Sequence, residues 1–224
     1  MPSSELAHFL NVALDIQAPP FSGIHVADGV MAATDGVMLV VKKYNDPVYL
    51  RGRGSLSPKA AKVLAALAEA TWIGSIEVNG NRATVTAQST RYEENVGEVA
   101  SGYCEVKLPE FYCPRVPIAR MLAALTDEQQ GWVQVVENPR LKIIKDTSVK
   151  EYVTLLEPAR DGEELFRLRD IDDAHWYSVA QLRRGLRLFG KNARLSVRQN
   201  RDGWLAFNDQ WGHTFAVTPF VKRN

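Results

Sequence analysis

One order of elements is written twice in the 224 residues, and it constrains the fold more than any bulk property. Ser57 to Leu67 and Ser178 to Leu188 are segments of equal length. Each opens on a serine suited to cap a helix, ends on a leucine, and leads through a short gap into paired strands with a glycine turn, at Gly80 and Gly203. The pattern predicts two tandem domains of one design, residues 1–113 and 114–224, each of a size that can bury its own core. In the first, Leu6, Phe9, Leu10, Ala13 and Leu14 recur at three and four after Ser3-Ser4-Glu5, predicting a helix that stops before Pro19-Pro20. Alternation from Ser22 to Val41, with turns at Gly29 and Asp35-Gly36, predicts two or three strands. Ser57-Pro58 opens a second helix with Ala61, Val63, Leu64, Leu67 and Ala68 inward. Strands follow near 75–78, 83–87 and 97–107. After a connector from Pro109 to Pro117, Ile118, Met121, Leu122 and Leu125 predict a short third helix. Segments 132–136, 141–144, 151–156 and 165–168 read as strands, and Ser178 caps a helix with Val179, Leu182, Leu186 and Phe189 inward, stopping at Gly190. Strands at 194–198, 205–208 and 214–219 close the chain.

The function classes can be narrowed from what is missing. Hydrophobic residues make up 46% and charged residues 24%, the mixture of an ordinary globular protein. The longest apolar runs, Val37 to Val41 and Val63 to Leu67, are too short to span a bilayer, and no basic-then-apolar leader opens the chain, so a cytoplasmic address is expected. Cys104 and Cys113 are too sparse for a disulfide framework and lack zinc spacing, and both are expected to be plain thiols. His8, His25, His175 and His213 are isolated, and no nucleophile elbow or phosphate loop occurs. Arg51-Gly-Arg-Gly54 lacks the lysine of such a loop. The adjacent carboxylates Asp172-Asp173 and Glu93-Glu94 read as solvated loops. No catalytic residue, metal site or cofactor is therefore expected. Net charge is only +1, from 27 basic and 26 acidic side chains, but it is unevenly placed. Arg183, Arg184, Arg187, Lys191 and Arg194 crowd one segment just after an acidic one holding Asp161, Glu163, Glu164, Asp170, Asp172 and Asp173.

The most specific stretch runs from Gly23 to Val41 and contains Ala33-Thr34-Asp35-Gly36 followed by an apolar strand. It resembles the strand-turn-strand of the bacterial DNA polymerase III beta subunit family, the sliding clamps. Leu56-Ser57-Pro58-Lys59 resembles the family's I-x-P-K helix opening, Leu108-Pro109-Glu110 its F-P-D domain end, and Phe215 to Phe220 its closing Y-V-V-M-P-M strand. Trp132 to Asp173 matches only in outline. The family carries three such domains per chain and this chain has room for two, the arrangement of phage and of eukaryotic or archaeal clamps that close as trimers.

The resemblance implies an α+β fold of two clamp-like domains, each with helices on antiparallel sheets, closing into a ring around duplex DNA. A trimer is the first expectation and a dimer the second. Helix cations would meet phosphates without reading bases: Lys59, Lys62, Arg120, Arg183, Arg184, Arg187 and Lys191. A DNA polymerase and a clamp loader would dock through short peptides in a groove between two domains. Carried over position by position, Thr34, Gly36, Val37, Met38 and Leu39 form one wall, Pro117 the connector side, and Ala216, Thr218 and Pro219 the C-terminal side. Thr218 replaces an apolar residue usual there and Val37-Met38 a more polar pair. On a strand Met38 and Leu39 point to opposite faces, so one is expected in the core and the other in the groove. The residues leave open a clamp-fold docking module that does not encircle DNA, and an unrelated mixed α/β enzyme.

Overall fold

The structure is a computed structural model that describes residues 3–18, 21–27, 29–80, 82–92, 99–108, 123, 125, 129–145, 148–149, 157–158, 164–168, 171–172 and 174–220. The predicted helix at 118–125, the strand at 151–156 and the cysteine expectation lie outside the described residues or side chains. The chain divides into two compact units, residues 1–33 with 42–116, and residues 34–41 with 117–224.

In the first unit α1 (Ser3–Ile16) buries Leu6, Phe9, Leu10 and Ala13 of the three-and-four stripe seen in the sequence, whereas Leu14 is only half-buried and Ile16 takes the last core position. Its start is tied down where Ser3 Oγ accepts the Ile73 N–H at 2.9 Å, and Glu5 pairs with the buried Lys42. Against α1 packs α2 (Pro58–Ala70), whose N-cap Ser57 accepts the Ala60 N–H at 2.9 Å. The buried stripe of α2 is Ala60, Ala61, Leu64, Ala65 and Ala68. Val63, expected inward, is 36% exposed, because helical phase sets it beside the exposed Lys59 and Lys62.

The sheet of this unit comprises β1 (Ile24–Ala27), β2 (Val30–Thr34), β4 (Leu50–Leu56), β5 (Ile73–Gly80), β6 (Arg82–Tyr92) and β7 (Val99–Leu108), in the order β2-β1-β4-β5-β6-β7. Ile76, Val78, Ala83, Val85 and Ala87 face the core, while Glu77, Asn79, Arg82 and Lys107 alternate outward. β4 is absent from the sequence reading and adds a departure, for it pairs with β5 in parallel. A Cβ on Gly52 would stand 2.0 Å from the Val78 carbonyl oxygen, and one on Gly54 1.9 Å from that of Gly80. The two glycines of Arg51-Gly-Arg-Gly54 thus allow close strand approach.

His25 on β1 stands opposite Ser55 on β4, its Nδ1 3.0 Å from Ser55 Oγ, and the ring is 3% exposed. Burial pulls its pKa below the ordinary 6.5. The unfolded chain therefore takes up this proton before the folded one does, so the contribution is fully present above pH 6.5 and declines as pH falls through the lower folded value. His25→Gln is expected to flatten the decline of the urea midpoint below pH 6.5 and to leave the trend above it unchanged.

The second unit has the sheet order β10-β9-β8-β14-β15-β16-β3. Its strands are β3 (Met38–Lys43, whose last two residues belong to the first unit), β8 (Gln129–Glu137), β9 (Arg140–Lys145), β10 (Ser148–Val149), β14 (Arg194–Gln199), β15 (Leu205–Asn208) and β16 (His213–Val217). A small antiparallel sheet of β11 (Glu157–Pro158), β12 (Glu164–Phe166) and β13 (Tyr177–Ser178) leads into α3 (Val179–Leu186). Ser178 caps α3, yet the helix ends at Leu186, short of the expected Gly190. Leu188 and Phe189 instead bond back three residues, to Gly185 and Leu186, a tightened final turn that still buries both side chains. Among the described residues no helix is long and apolar enough to cross a membrane.

Candidate functional site

The Thr34–Met38 turn in the second unit closes on itself. Thr34 Oγ1 donates to the Met38 carbonyl at 2.6 Å and accepts the Gly36 N–H at 3.0 Å. Asp35 Oδ1 accepts from the N–H groups of Val37 and Met38 at 2.9 and 2.6 Å, and Gly36 takes φ +91°. The side chains of Thr and Asp thereby satisfy backbone groups that a tight turn would leave open. The Val37 carbonyl accepts the Thr218 N–H at 2.9 Å, which ties the turn to the segment after β16. Two residues on, the Phe220 N–H donates to the Trp176 carbonyl at 2.7 Å. Residues 218–220 are therefore held from two sides, with Thr218, Pro219 and Phe220 partly open to solvent.

The loop that offers Trp176 is anchored by Asp172, which is 4% exposed. Its Oδ1 accepts from the N–H groups of Ala174 and His175, both at 3.1 Å, and its Oδ2 is bonded by the Tyr177 hydroxyl, which also lies 2.8 Å from the Gly203 carbonyl. Burial, then Asp172 itself, pushes the Tyr177 phenol well above its usual range. Asp172 is thus no solvated loop residue, contrary to the sequence reading. A carboxylate that satisfies several local donors is stable when buried.

Thr34, Gly36 and Val37 lie together with Thr218, while Pro219 stands against Gly203 and Ala216 is fully buried in β16. Pro117 and Arg120 lie outside the described residues. Met38 and Leu39 are 0% and 1% exposed, so the expectation that one of them stands open fails. β3 is buried along both faces from Met38 to Lys42, as a strand covered on both sides is. The apolar side chain that reaches solvent is Val37, at 38%.

Among the cations, Lys59 and Lys62 are exposed on α2, and Arg183, Arg184, Arg187 and Lys191 are exposed on α3 or just after it. Arg183 pairs with Glu164 at 3.4 Å, both side chains more than half exposed. Arg184 stands 3.9 Å from Asp35 Oδ2 and so flanks the turn, a placement the sequence did not suggest. Opposite these arginines α3 buries Val179, Leu182, Gly185 and Leu186. No group of three or more His, Cys, Asp or Glu side chains gathers as a metal would require among the described residues.

No family model matches the chain, and neither does any curated protein. Solved structures do match, and they place it in the clamp-fold class, a mixed α+β architecture with a large, mainly antiparallel sheet and few helices. Within that class it is similar to the DNA polymerase III beta subunit of Borrelia burgdorferi, solved in complex with a natural product, at TM-score 0.55 and 12% identity over 100% of this chain and 64% of that one. The Thermotoga maritima beta subunit matches at TM-score 0.58 and 13% identity over 100% and 65% of the two chains, and that of Pseudomonas aeruginosa at 0.51 and 15% over 99% and 65%. This chain therefore spans less than two thirds of the length of the subunits whose fold it shares.

Proposed function

We propose that this chain is a sliding clamp subunit, a non-enzymatic ring component that encircles duplex DNA and tethers a DNA polymerase and other partners to it. The observation that carries the reading is the solvent face of the two serine-capped helices. Each buries an apolar stripe and presents Lys or Arg outward, in a chain whose whole length takes the fold of polymerase III beta subunits. Such cations attract phosphates without reading bases, as a part that must slide requires. Two clamp-like domains, 1–113 and 114–224, make a six-domain ring from three copies, with a dimer as second choice, in a bacterial or phage-infected cell. A closed ring needs a head-to-tail interface, so the solution mass is expected to be that of a trimer, and a strict monomer that stays monomeric on DNA would favour a docking module.

Arg183→Glu with Arg187→Glu is the charge test. Both positions are exposed, so the thermal midpoint is expected to stay within a few degrees of the parent. Retention on circular DNA is expected to fall, and its salt dependence to flatten by about one logarithmic slope unit for each phosphate no longer neutralised. Unchanged retention would remove α3 from the DNA-facing surface.

The turn of Thr34 to Met38, with Thr218 and Pro219, supplies the docking groove in this reading. Its chemistry is an apolar side chain, Val37, beside backbone and hydroxyl groups, which suits a short peptide with apolar anchors.

A further inference from the structure

We propose that the solvent face of β9-β8-β14 is a stacking surface for single-stranded nucleic acid. β8 lies between β9 and β14, and Val133 and Val135 of β8 and Leu195 and Val197 of β14 are buried in the core. The alternate positions therefore face away from the core. Across the three strands they form two rows, Arg194–Gln134–Lys142 and Ser196–Trp132–Ile144, of which Ser196 is itself only 8% exposed and donates to the Asn208 carbonyl. The guanidinium of Arg194 lies over the Trp132 ring, 4.6 Å from its centroid, and the indole remains partly open to solvent. An indole and a stacked guanidinium plane both accept a base on their flat surfaces.

The charge of this face selects an anion. Among the described residues Arg140, Lys142 and Arg194 place positive charge on this face, with Arg198 half-buried further along β14, and Glu137 lies 3.5 Å from Arg140, both of those side chains more than two-thirds exposed. Val136, 41% exposed, continues the apolar surface at one end. Neighbouring strands are about 4.8 Å apart, so the rows span about 10 Å, the reach of about three nucleotides at stacked spacing. A single strand can splay its bases onto Trp132 while its phosphates meet the three cations. A duplex keeps its bases stacked inside and cannot, and an acidic peptide would engage the cations without using the indole. None of these residues belongs to the helix face or to the turn assigned above, so the surface stands independently of the clamp reading.

The test is fluorescence anisotropy of a short labelled oligothymidylate with the full chain. Trp132→Ala is expected to weaken binding about tenfold, as removal of one stacking side chain does. Trp132→Phe, which keeps a stacking ring and guards against loss of folding, is expected to stay within about threefold of the parent. Arg140→Glu with Lys142→Glu is expected to reduce the logarithmic salt slope by about 1.4, near 0.7 for each single-strand phosphate neutralised. Absence of binding by the parent, an affinity indifferent to Trp132→Ala, or competition by polyglutamate or an equal-length duplex as effective as unlabelled oligothymidylate would overturn the proposal.

Discussion

Phe215→Ala is expected to lower the unfolding free energy by about 3–5 kcal/mol, a large part of what a domain of this kind has. Phe215 is fully buried on β16 and stacks on Phe207 of β15, the centroids 5.7 Å apart and the rings 8° from parallel. The ring also fills the space in front of Gly185, where a Cβ would stand 2.1 Å from it. The helix therefore seats on the strand only because position 185 has no side chain. Gly185→Ala is accordingly expected to destabilise by about 1–3 kcal/mol, although alanine favours a helix by about 1 kcal/mol over glycine. The two substitutions act on one space, so their costs must not add. In the double variant the new methyl group enters the cavity left by the ring, and its loss should be smaller than the sum by about 1 kcal/mol or more. Urea titrations of the four proteins close this cycle, and additive losses would mean that the helix shifts to accommodate the methyl group.

Val37→Asp is expected to weaken a polymerase tail peptide by about 2 kcal/mol, near thirtyfold, while the assembly mass stays that of the parent. Val37 is exposed on the turn and its carbonyl is already engaged by Thr218, so the substitution changes surface chemistry and little else. An Asp at Met38 or Leu39 would be uninformative, because each position is closed to solvent and the buried carboxylate would unfold the strand. Isothermal titration at matched folded fractions reads the difference. Equal affinities would place peptide docking away from this turn.

What could be read from the sequence was what is local. The serines before both helices cap them because a cap is satisfied within three residues, as Ser57 does for Ala60. The self-closing of Thr34-Asp35-Gly36 is likewise complete within five residues. Where the reading failed without a local signal, the cause lies in packing against other parts of the chain. α3 ends at Leu186 in a tightened turn whose Leu188 and Phe189 side chains are buried by the rest of the unit, which the local sequence does not show. β4 was hidden because Arg51-Gly-Arg-Gly54 carries no alternating apolar signal, and its glycines answer to β5 carbonyls beyond an intervening helix. Met38 and Leu39 alternate as any strand pair does, and only tertiary packing covers both faces. Two misreadings had signals within reach. Helical phase from Ala60, Leu64 and Ala68 already puts Val63 outward, and the spacing of Asp172 from Ala174 and His175 is that of a carboxylate capping its own turn.

Whether this chain holds DNA by surrounding it is tested most directly by topology. Subunits diluted to open assemblies are mixed with a nicked circular duplex, concentrated so that rings can close around it, and passed through gel filtration at moderate salt. Protein is expected to travel with the circle and to be lost when the circle is cut once by a restriction enzyme, since a ring slides off a free end. Retention that is the same before and after cutting, or absent in both, would contradict encirclement.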